Sequence, residues 1–271
     1  MEKFGLIGYP LGHSFSALYF TRKFEAENLD CRYDLYPIAD CREISVFLAQ
    51  HGDLRGINVT IPYKERIIAY LDRLSIDAQA IGAVNVVKRV RQNDGSFILE
   101  GYNTDWQAFA ETLRPLLRGD EKRALILGTG GAAKAAAYGL RRLGIEPAYV
   151  SRHPENVEPA TEDEGGMLIK TMSYNALNEE ILQSYHVIVN ATPVGMYPHV
   201  EESPAIPYQF LSAKHICYDM VYNPEETRFM KSAAAHEATV KNGMDMLVRQ
   251  AELSWHIWNE PDREPDRDHG S

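Results

Sequence analysis

The hydrophobic residues of this chain follow two spacings, one of period two and one of helical period, which alternate along the sequence. In the stretch 56–64, every second residue up to Ile61 is apolar, which predicts a short strand with one buried face. Pro62 ends this strand because proline cannot donate a hydrogen bond to the ladder. Proline also suits the first turn of a helix, so we predict a helix that opens at Tyr63 and continues through Leu71.

Strands and helices are predicted to alternate in the same way through the first part of the chain. The expected strands are 4–8, 31–37, 56–61, one that begins within 82–87, and 97–101 after a hairpin turn at 93–95. A helix is expected after Ser14 or Ser16 as its cap, another at 41–50, and a third after Thr104 as its cap. This β-α-β-α order predicts an open α/β sheet.

A glycine-rich loop separates a strand from a helix in the middle of the chain. The predicted strand 123–127 runs into GTGGAA at 128–133, and a helix through Leu143 and a strand at 147–150 follow. The spacing fits G-x-G-x-x-A, in which the glycines let backbone N–H groups and the helix N-terminus approach a pyrophosphate. In this context the pattern predicts a dinucleotide site. The alternative is a glycine loop that forms only a tight turn.

The residues at the end of the second strand of this unit indicate which dinucleotide is bound. Such sites carry Asp or Glu there for NAD and Arg for NADP. This chain has Ser151, Arg152 and His153, and no carboxylate before Glu155. Because an arginine can bond a 2′-phosphate, the sequence favours NADP.

Later segments complete the predicted architecture. Strands 187–190 and 216–220 each lead into a loop at the carboxyl end of the strand, where open α/β sheets bind ligands. A long helix follows Asn242 and Gly243, with Gln250 on its candidate substrate side. A polar acidic loop at 158–166 and a disordered tail at 261–271 are also expected.

Composition and charge narrow the function further. The 271 residues are 45% hydrophobic and 24% charged, which suits a globular protein with two domains. The formal net charge of −10 offers no basic field for a nucleic acid. Three cysteines without a C-x-x-C pair predict neither a disulfide framework nor a metal site. No signal-peptide core and no membrane-spanning run is recognised, so we expect a cytoplasmic protein without a membrane partner.

Lys64 and Asp105 are the candidate proton-transfer pair. Each follows a predicted strand of the first part of the chain, so each is expected near the crevice that faces the glycine loop. A lysine beside a partly dry site can exchange protons near neutral pH, whereas most lysines are solvated surface groups. Asp105 also stands in the first turn of a predicted helix, where stabilising the helix dipole is its alternative role.

Taken in order, these motifs resemble the signature of the shikimate dehydrogenase family. The matching segments are GYPLGHSFS at 8–16, NVTIPYK at 58–64, GAVN at 82–85, NTD at 103–105, GTGGAA at 128–133, NAT at 190–192, DMVYNP at 219–224, NG at 242–243 and QA at 250–251. The resemblance implies an α/β protein with an open mixed-sheet substrate domain, a Rossmann-like doubly wound NADP domain and an active-site cleft between them. The substrate domain would be residues 1–103, completed by the C-terminal helix at 242–260, and the dinucleotide-binding domain would be 104–241.

The resemblance also implies an activity, the reversible reduction of 3-dehydroshikimate to shikimate by NADPH on the route to chorismate and the aromatic amino acids. Lys64 would be the acid/base residue, with Asp105 beside it. The substrate carboxylate would contact Ser14 and Ser16, and its ring and hydroxyls would contact Thr60, Asn85, Asp105, Tyr222 and Gln250. The dinucleotide would contact Gly128, Thr129, Gly130, Gly131, Ala132, Ser151, Arg152, Thr192, Met220 and Gly243. The chain is expected to act as a monomer or a homodimer.

Two other functions remain open on this scaffold. A quinate and shikimate dehydrogenase that uses NAD would be favoured by an acidic residue at the end of the second cofactor strand, and none is present there. A regulator that binds NADP without catalysis needs neither Lys64 nor Asp105, and the chain has both.

Overall fold

The computed structural model of the chain describes residues 1–12, 14–156 and 169–261. Its strands form two six-stranded sheets, one from the part of the chain before residue 103 and the other from residues 123–241. The two sheets confirm the predicted two-domain α/β fold. The acidic loop expected at 158–166 lies outside the described residues, and so does the tail expected from 261 onward, apart from Pro261 itself.

The first sheet mixes parallel and antiparallel strands. Its members are β1 (Glu2–Gly8), β2 (Cys31–Pro37), β3 (Leu54–Val59), β4 (Arg73–Leu74), β5 (Val86–Arg91) and β6 (Phe97–Tyr102). They lie in the order β2-β1-β3-β5-β6-β4. Strand β1 pairs in parallel with β2 and β3, whereas β5 runs antiparallel to both β3 and β6. The carboxyl ends of β1 and β3 therefore lie at the same edge of the sheet.

The second sheet pairs its strands in parallel. Its members are β7 (Arg123–Leu127), β8 (Glu146–Ser151), β9 (Lys170–Ser173), β10 (Val187–Asn190), β11 (Ile216–Asp219) and β12 (Thr239–Lys241). Their spatial order, β9-β8-β7-β10-β11-β12, is the doubly wound order of dinucleotide-binding folds. Every residue of β10 and β11 is buried, as expected for a parallel sheet that is covered on both faces. The chain order reverses between β7 and β10, so a crevice opens beyond the carboxyl ends of these two strands.

Eight α-helices of the described residues cover the sheets. They are α1 (Phe15–Ala26), α2 (Ile44–Gln50), α3 (Ile76–Ile81), α4 (Asp105–Leu113), α5 (Gly131–Arg142), α6 (Glu179–Ser184), α7 (Arg228–Ala234) and α8 (Met244–Asn259). Helix α4 follows the last strand of the first sheet and packs against both α5 and α8. Within the described ranges, no helix has the length and apolar character needed to cross a bilayer.

The C-terminal helix α8 returns to the first sheet and closes its core. Trp258 is fully buried, its indole Nε1 donates to the Val87 carbonyl at 3.1 Å, and its ring stacks on Phe4 with centroids 4.9 Å apart. The same ring lies against Gly56, where an added Cβ would come within 2.3 Å of Nε1. Earlier in α8, Met246 belongs to the core of the second sheet. One helix thus packs against both sheets.

Most of the predicted elements are confirmed. Strands β2, β7 and β10 have the predicted bounds, and α8 begins directly after Gly243. The helix expected at 41–50 is divided into a 3-10 turn at Cys41–Glu43 and helix α2. The strand expected to begin within 82–87 begins at Val86.

The helix expected after Pro62 is wrong, because the residues directly after it lie in turns and only a short 3-10 helix follows, at Arg66–Tyr70. An α-helix would need the Lys64 carbonyl to accept from the N–H of Ile68. That carbonyl instead accepts from the N–H of Val84 at 2.7 Å. The bond before it in the expected helix, from the N–H of Ile67 to the Tyr63 carbonyl at 2.9 Å, does form, but a long-range hydrogen bond to the segment that enters β5 has replaced the helical bond at Lys64.

The caps of two helices also differ from the prediction. Thr104 precedes α4 but makes no side-chain cap bond; Asn103 Oδ1 accepts instead from the N–H groups of Asp105 and the next residue, at 3.0 and 3.3 Å. The Thr104 hydroxyl is engaged elsewhere, because it donates to the Gln250 carbonyl at 3.2 Å. Ser14 occupies the N-cap position of α1 and makes no side-chain cap bond either. Its hydroxyl is therefore not used by the helix.

The contact between Gly56 and Trp258 predicts a stability effect. In Gly56→Ala the new methyl group overlaps the buried indole, so we expect the free energy of unfolding to fall by about 1–3 kcal/mol. Urea denaturation measures this change. Gly52→Ala is the matched control, because its added Cβ would meet nothing closer than 4.0 Å, and we expect it to change stability by less than about 1 kcal/mol. Equal stability of the two variants would contradict the packing described here.

Candidate active site

A buried ion pair joins the two segments that carry the candidate proton-transfer residues. Lys64 Nζ donates to Asp105 Oδ2 at 2.7 Å, and the two side chains are only 16% and 7% exposed. The other carboxylate oxygen, Oδ1, accepts from Asn85 Nδ2 at 3.0 Å. A pair withdrawn from water needs such additional hydrogen bonds, because the desolvation cost can otherwise exceed the attraction. The ammonium group is thus held in one geometry at the wall of the cleft.

Asn85 is the centre of the polar network around this pair. Its Nδ2 donates to Thr104 Oγ1 at 2.9 Å as well as to Asp105, and its Oδ1 accepts from the N–H of Thr104 at 2.7 Å. Gln250 Oε1, on helix α8, lies 3.5 Å from the same Nδ2. Asn85 and Gln250 are both buried. Three distant segments of the chain therefore meet at one buried amide.

The two serines expected to bind a carboxylate lie at the N-terminus of α1. Ser14 is half-buried at the N-cap, and α1 has no acidic residue in its first turn that would compete with an anion for the positive end of the helix. Phe15 packs edge to face against Tyr222, with ring centroids 6.2 Å apart, which brings the loop after β11 to this helix. Ser16 is buried. Burial raises the pKa of Tyr33, and a hydrogen bond with Ser16 opposes that rise, so the Ser16 hydroxyl contacts this core tyrosine.

Thr60 lies just beyond β3, at the edge where β1 also ends. Its N–H donates to the Ile7 carbonyl at 2.9 Å, and its methyl group packs on Gly8, where an added Cβ would come within 2.4 Å of Thr60 Cγ2. Within the part of the chain that the structure describes, the Thr60 hydroxyl has no hydrogen-bond partner. It is therefore available to a ligand.

A cavity of about 560 Å³ lies between the glycine loop and the Lys64 segment. The expected dinucleotide contacts that line it are Gly128, Thr129, Gly130, Gly131, Ala132, Ser151, Arg152 and Thr192. Met220 and Gly243 are not among its described lining residues. They lie against each other, and an added Cβ at Gly243 would come within 2.2 Å of the Met220 carbonyl oxygen. Among the described residues, no group of three or more His, Cys, Asp or Glu side chains could hold a metal ion.

The backbone of the glycine loop fits a dinucleotide phosphate. Gly128 has a φ of 111°, which favours glycine, and an added Cβ there would lie 3.0 Å from Thr192 Cγ2. Helix α5 begins at Gly131, and the first N–H groups of a helix have no partner within it. An added Cβ at Gly131 would lie 3.0 Å from Lys64 Cβ, so the absence of a side chain lets the helix end approach the lysine. These features fit a pyrophosphate, with Arg152 as a cation for a further phosphate.

Comparison with known proteins places this site in a family. Residues 6–87 match the family model of the shikimate dehydrogenase substrate binding domain. A shikimate dehydrogenase (NADP(+)) from Caldanaerobacter subterraneus subsp. tengcongensis is 36% identical over 261 residues, which are 94% of this chain and 90% of that protein. The chain belongs to the shikimate dehydrogenase family.

Solved structures of known proteins share the fold of this chain. The enzyme from Thermus thermophilus, in complex with NADP(H) and shikimate, is 32% identical with a TM-score of 0.81, and the match covers 98% of this chain and 95% of that one. Quinate dehydrogenase from Corynebacterium glutamicum, in complex with NAD, has a TM-score of 0.83 over 96% of this chain and 94% of that one. Its identity of 24% means that this second likeness shows the fold alone.

A second polar network fixes the loops after β10 and β11. Fully buried Asp219 accepts from Asn190 Nδ2 at 3.0 Å, from the N–H of Val221 at 3.0 Å and from Thr227 Oγ1 at 2.6 Å. Thr192 Oγ1 donates to Asn190 Oδ1 at 2.6 Å. Burial raises the pKa of Asp219 to about 6, although these three hydrogen bonds act to lower it. No role was expected for Asp219, and its position within the predicted apolar strand 216–220 was the signal of its burial.

Trp106 follows Asp105 but packs away from the ion pair. Its ring meets Tyr138 of α5 edge to face with centroids 5.1 Å apart, and the guanidinium of Arg142 lies 5.9 Å from its centroid. The Tyr138 hydroxyl in turn donates to Asp77 Oδ1 at 2.5 Å. These contacts join α3, α4 and α5, so Trp106 contributes to packing between the helices of the two sheets.

The burial of Asp219 predicts that the free energy of unfolding depends on pH. Its folded pKa of about 6 lies above the ordinary value of 3.8, so folding favours the protonated form. Its stabilising contribution is therefore complete below about pH 4 and is lost as the pH rises through 6. Asp219→Asn cannot ionise, so we expect wild type to lose about 2–3 kcal/mol relative to this variant between pH 4 and pH 7.

Urea denaturation of both proteins across this pH range measures the difference. Asp120→Asn, at an exposed position, is the matched control and should show no such trend. A difference between wild type and Asp219→Asn that stays constant with pH would contradict the burial of an ionisable carboxyl group here.

Proposed function

We propose that this chain catalyses the reversible, NADP-dependent reduction of 3-dehydroshikimate to shikimate, a step toward chorismate and the aromatic amino acids. The observation that carries the proposal is the Lys64–Asp105 pair, whose lysine lines the same cavity as the glycine loop. The relatives support the choice of substrate and cofactor. They are shikimate dehydrogenases of the NADP(+) type, and the Thermus thermophilus structure holds NADP(H) and shikimate.

Lys64 is the acid/base residue of the proposed mechanism. When bound, the nicotinamide supplies the hydride, and the chain supplies the proton. As the substrate ketone becomes a hydroxyl, its oxygen takes a proton from Lys64 Nζ, and in the reverse direction the amine takes the proton back. A positioned general acid of this kind is worth ~10²–10⁴-fold in rate. Asp105 orients the ammonium group through Oδ2 and bonds a substrate hydroxyl.

The remaining polar residues of the cleft would position the substrate. Ser14 and Ser16, at the N-terminus of α1, bind the carboxylate, because hydroxyls and helix N–H groups together form an anion site. The ring and its hydroxyls contact Thr60, Asn85, Asp105, Tyr222 and Gln250. Two observations support this arrangement: the Thr60 hydroxyl has no hydrogen-bond partner among the described residues, and Tyr222 contacts Phe15 of α1.

Most of the proposed cofactor-binding residues line the cavity. Gly128, Thr129, Gly130, Gly131 and Ala132 receive the pyrophosphate, with Ser151, Arg152 and Thr192 around it. Met220 and Gly243 form the nicotinamide side beyond the cavity. Arg152 supports NADP rather than the NAD of the quinate alternative, because an arginine at the end of β8 suits a 2′-phosphate. The Lys64–Asp105 pair argues against a regulator without catalysis, which would have no use for it.

The division into domains follows the two sheets. Residues 1–103 with the helix at 242–260 form the substrate domain, and 104–241 form the dinucleotide-binding domain. The burial of Trp258 against the first sheet supports assigning the C-terminal helix to the substrate side. Cys31, Cys41 and Cys217 are free thiols, which supports a cytoplasmic location, because reducing compartments keep thiols free.

The activity is tested by the reduction of NADP+ with shikimate, followed through the absorbance of the reduced nicotinamide. We expect turnover with shikimate and NADP+. We expect little with NAD+, because Arg152 lines the cavity, and little with quinate, because the relatives are shikimate dehydrogenases. Turnover confined to quinate and NAD+ would assign the chain to the quinate alternative. The absence of turnover with every pair, together with NADPH binding, would support the regulator.

Lys64→Ala tests the acid/base role. We expect the turnover number to fall by at least ~10²-fold, because the proton donor is lost, while NADPH affinity measured by fluorescence stays nearly unchanged. Lys122→Ala removes an exposed lysine at the start of the second sheet and serves as the control. Equal turnover numbers for Lys64→Ala and Lys122→Ala would remove Lys64 from the mechanism.

A further inference from the structure

A second arginine, Arg66, lines the cofactor cavity together with Arg152. Arg66 is exposed and opens the 3-10 helix that follows Lys64, whereas Arg152 follows β8 of the second sheet. Among the residues that the structure describes, neither guanidinium has a hydrogen-bond or ion-pair partner. The cavity therefore has one unpaired arginine from each part of the fold.

Buried residues on either side of Arg66 in the sequence determine which face of the segment its side chain occupies. Tyr63 and Ile67 are 1% and 0% exposed, and the Tyr63 hydroxyl donates to the Ile38 carbonyl at 2.5 Å. These side chains hold one face of the segment in the core of the first sheet. Arg66 lies between them in sequence, and its side chain is left on the cavity face.

Two contacts place this segment along the first turn of α5, where the phosphate-binding N–H groups lie. An added Cβ at Gly131 would lie 3.0 Å from Lys64 Cβ, and Lys134 Nζ donates to Glu65 Oε2 at 2.7 Å. The Glu65 carboxylate is paired with Lys134, and among the described residues it makes no ion pair with Arg66. Arg66 therefore lines the cavity without a carboxylate partner in the described part of the chain.

We propose that Arg66 is a second phosphate-binding residue for the dinucleotide, acting from the substrate-domain side of the cavity. The ligand needs more than one cation, because a pyrophosphate carries two negative charges and a phosphate monoester adds about −1.5 to −2 at pH 7. A guanidinium suits this task, since its planar fork binds phosphate oxygens through two parallel hydrogen bonds. The inference rests on the proposed function, because it takes NADP as the ligand.

Direct binding tests the proposal without relying on turnover. NADPH and NADH are titrated by fluorescence into wild type, Arg66→Ala, Arg66→Lys and Arg152→Ala. Arg73→Ala is the matched control, because Arg73 is an exposed arginine of β4 that does not line the cavity. We expect the dissociation constant of NADPH to rise about 10-fold to 100-fold in Arg66→Ala, with a smaller rise in Arg66→Lys, which keeps the charge but loses the fork.

The outcomes show whether Arg66 binds the 2′-phosphate or the pyrophosphate. They also distinguish a failure of this inference from a failure of the proposed function. A loss confined to NADPH assigns Arg66 to the 2′-phosphate, and an equal loss for NADH assigns it to the pyrophosphate; both support the proposal. Affinities of Arg66→Ala that match those of Arg73→Ala would overturn it and leave the proposed function intact. Wild type that fails to bind NADPH would overturn the proposed function, and the role of Arg66 with it.

Discussion

The ion pair between Lys64 and Asp105 is the interaction on which the rest of the site depends. Two charges withdrawn from water are tolerated only where neighbouring groups complete their hydrogen bonds. The short segment 83–85 supplies most of this support: its central N–H donates to the Lys64 carbonyl at 2.7 Å, and its asparagine side chain donates to Asp105 at 3.0 Å. Its first carbonyl accepts from Asn103 Nδ2 at 2.9 Å, and Asn103 caps the helix that carries the aspartate. One segment thus sets the position of both charges.

The second constraint is the close packing of neighbouring segments at glycine residues, which have no side chain to keep them apart. Helix α5 can bring its free N–H groups to Lys64 because an added Cβ at Gly131 would already be in tight contact with the lysine, at 3.0 Å. The approach of Gly243 to the Met220 carbonyl oxygen is closer still, at 2.2 Å for an added Cβ, so any side chain there would displace the loop after β11. Gly131 therefore sets how closely α5 approaches Lys64, and Gly243 sets how closely its own segment approaches the loop after β11.

Local patterns predicted the buried strands of the second sheet, and long-range contacts explain the elements that were predicted wrongly or missed. Strands β7 and β10 are short apolar runs buried in the second sheet, and their bounds could be predicted from the sequence. The helix expected after Pro62 failed because the Lys64 carbonyl bonds a residue of another segment, and the cap expected at Thr104 failed because its hydroxyl bonds a carbonyl 146 residues later. Strand β4, of two residues, exists only through its pairing with β6.

The candidate site shows the same division between local and long-range information. Lys64 and Asp105 could be expected together because each follows a strand, whereas the cavity wall at Arg66 forms only when the two sheets meet. The chain carries a net charge of −10 and yet takes anionic ligands in this proposal. The net charge and the anionic ligands are compatible, because charges more than about 8–10 Å from the ligand are largely screened at physiological salt. The cations of the cleft would touch the ligand directly and are screened much less. In this proposal the cleft selects anions by where Lys64, the arginines and the helix N-termini lie, and not by the charge of the whole chain.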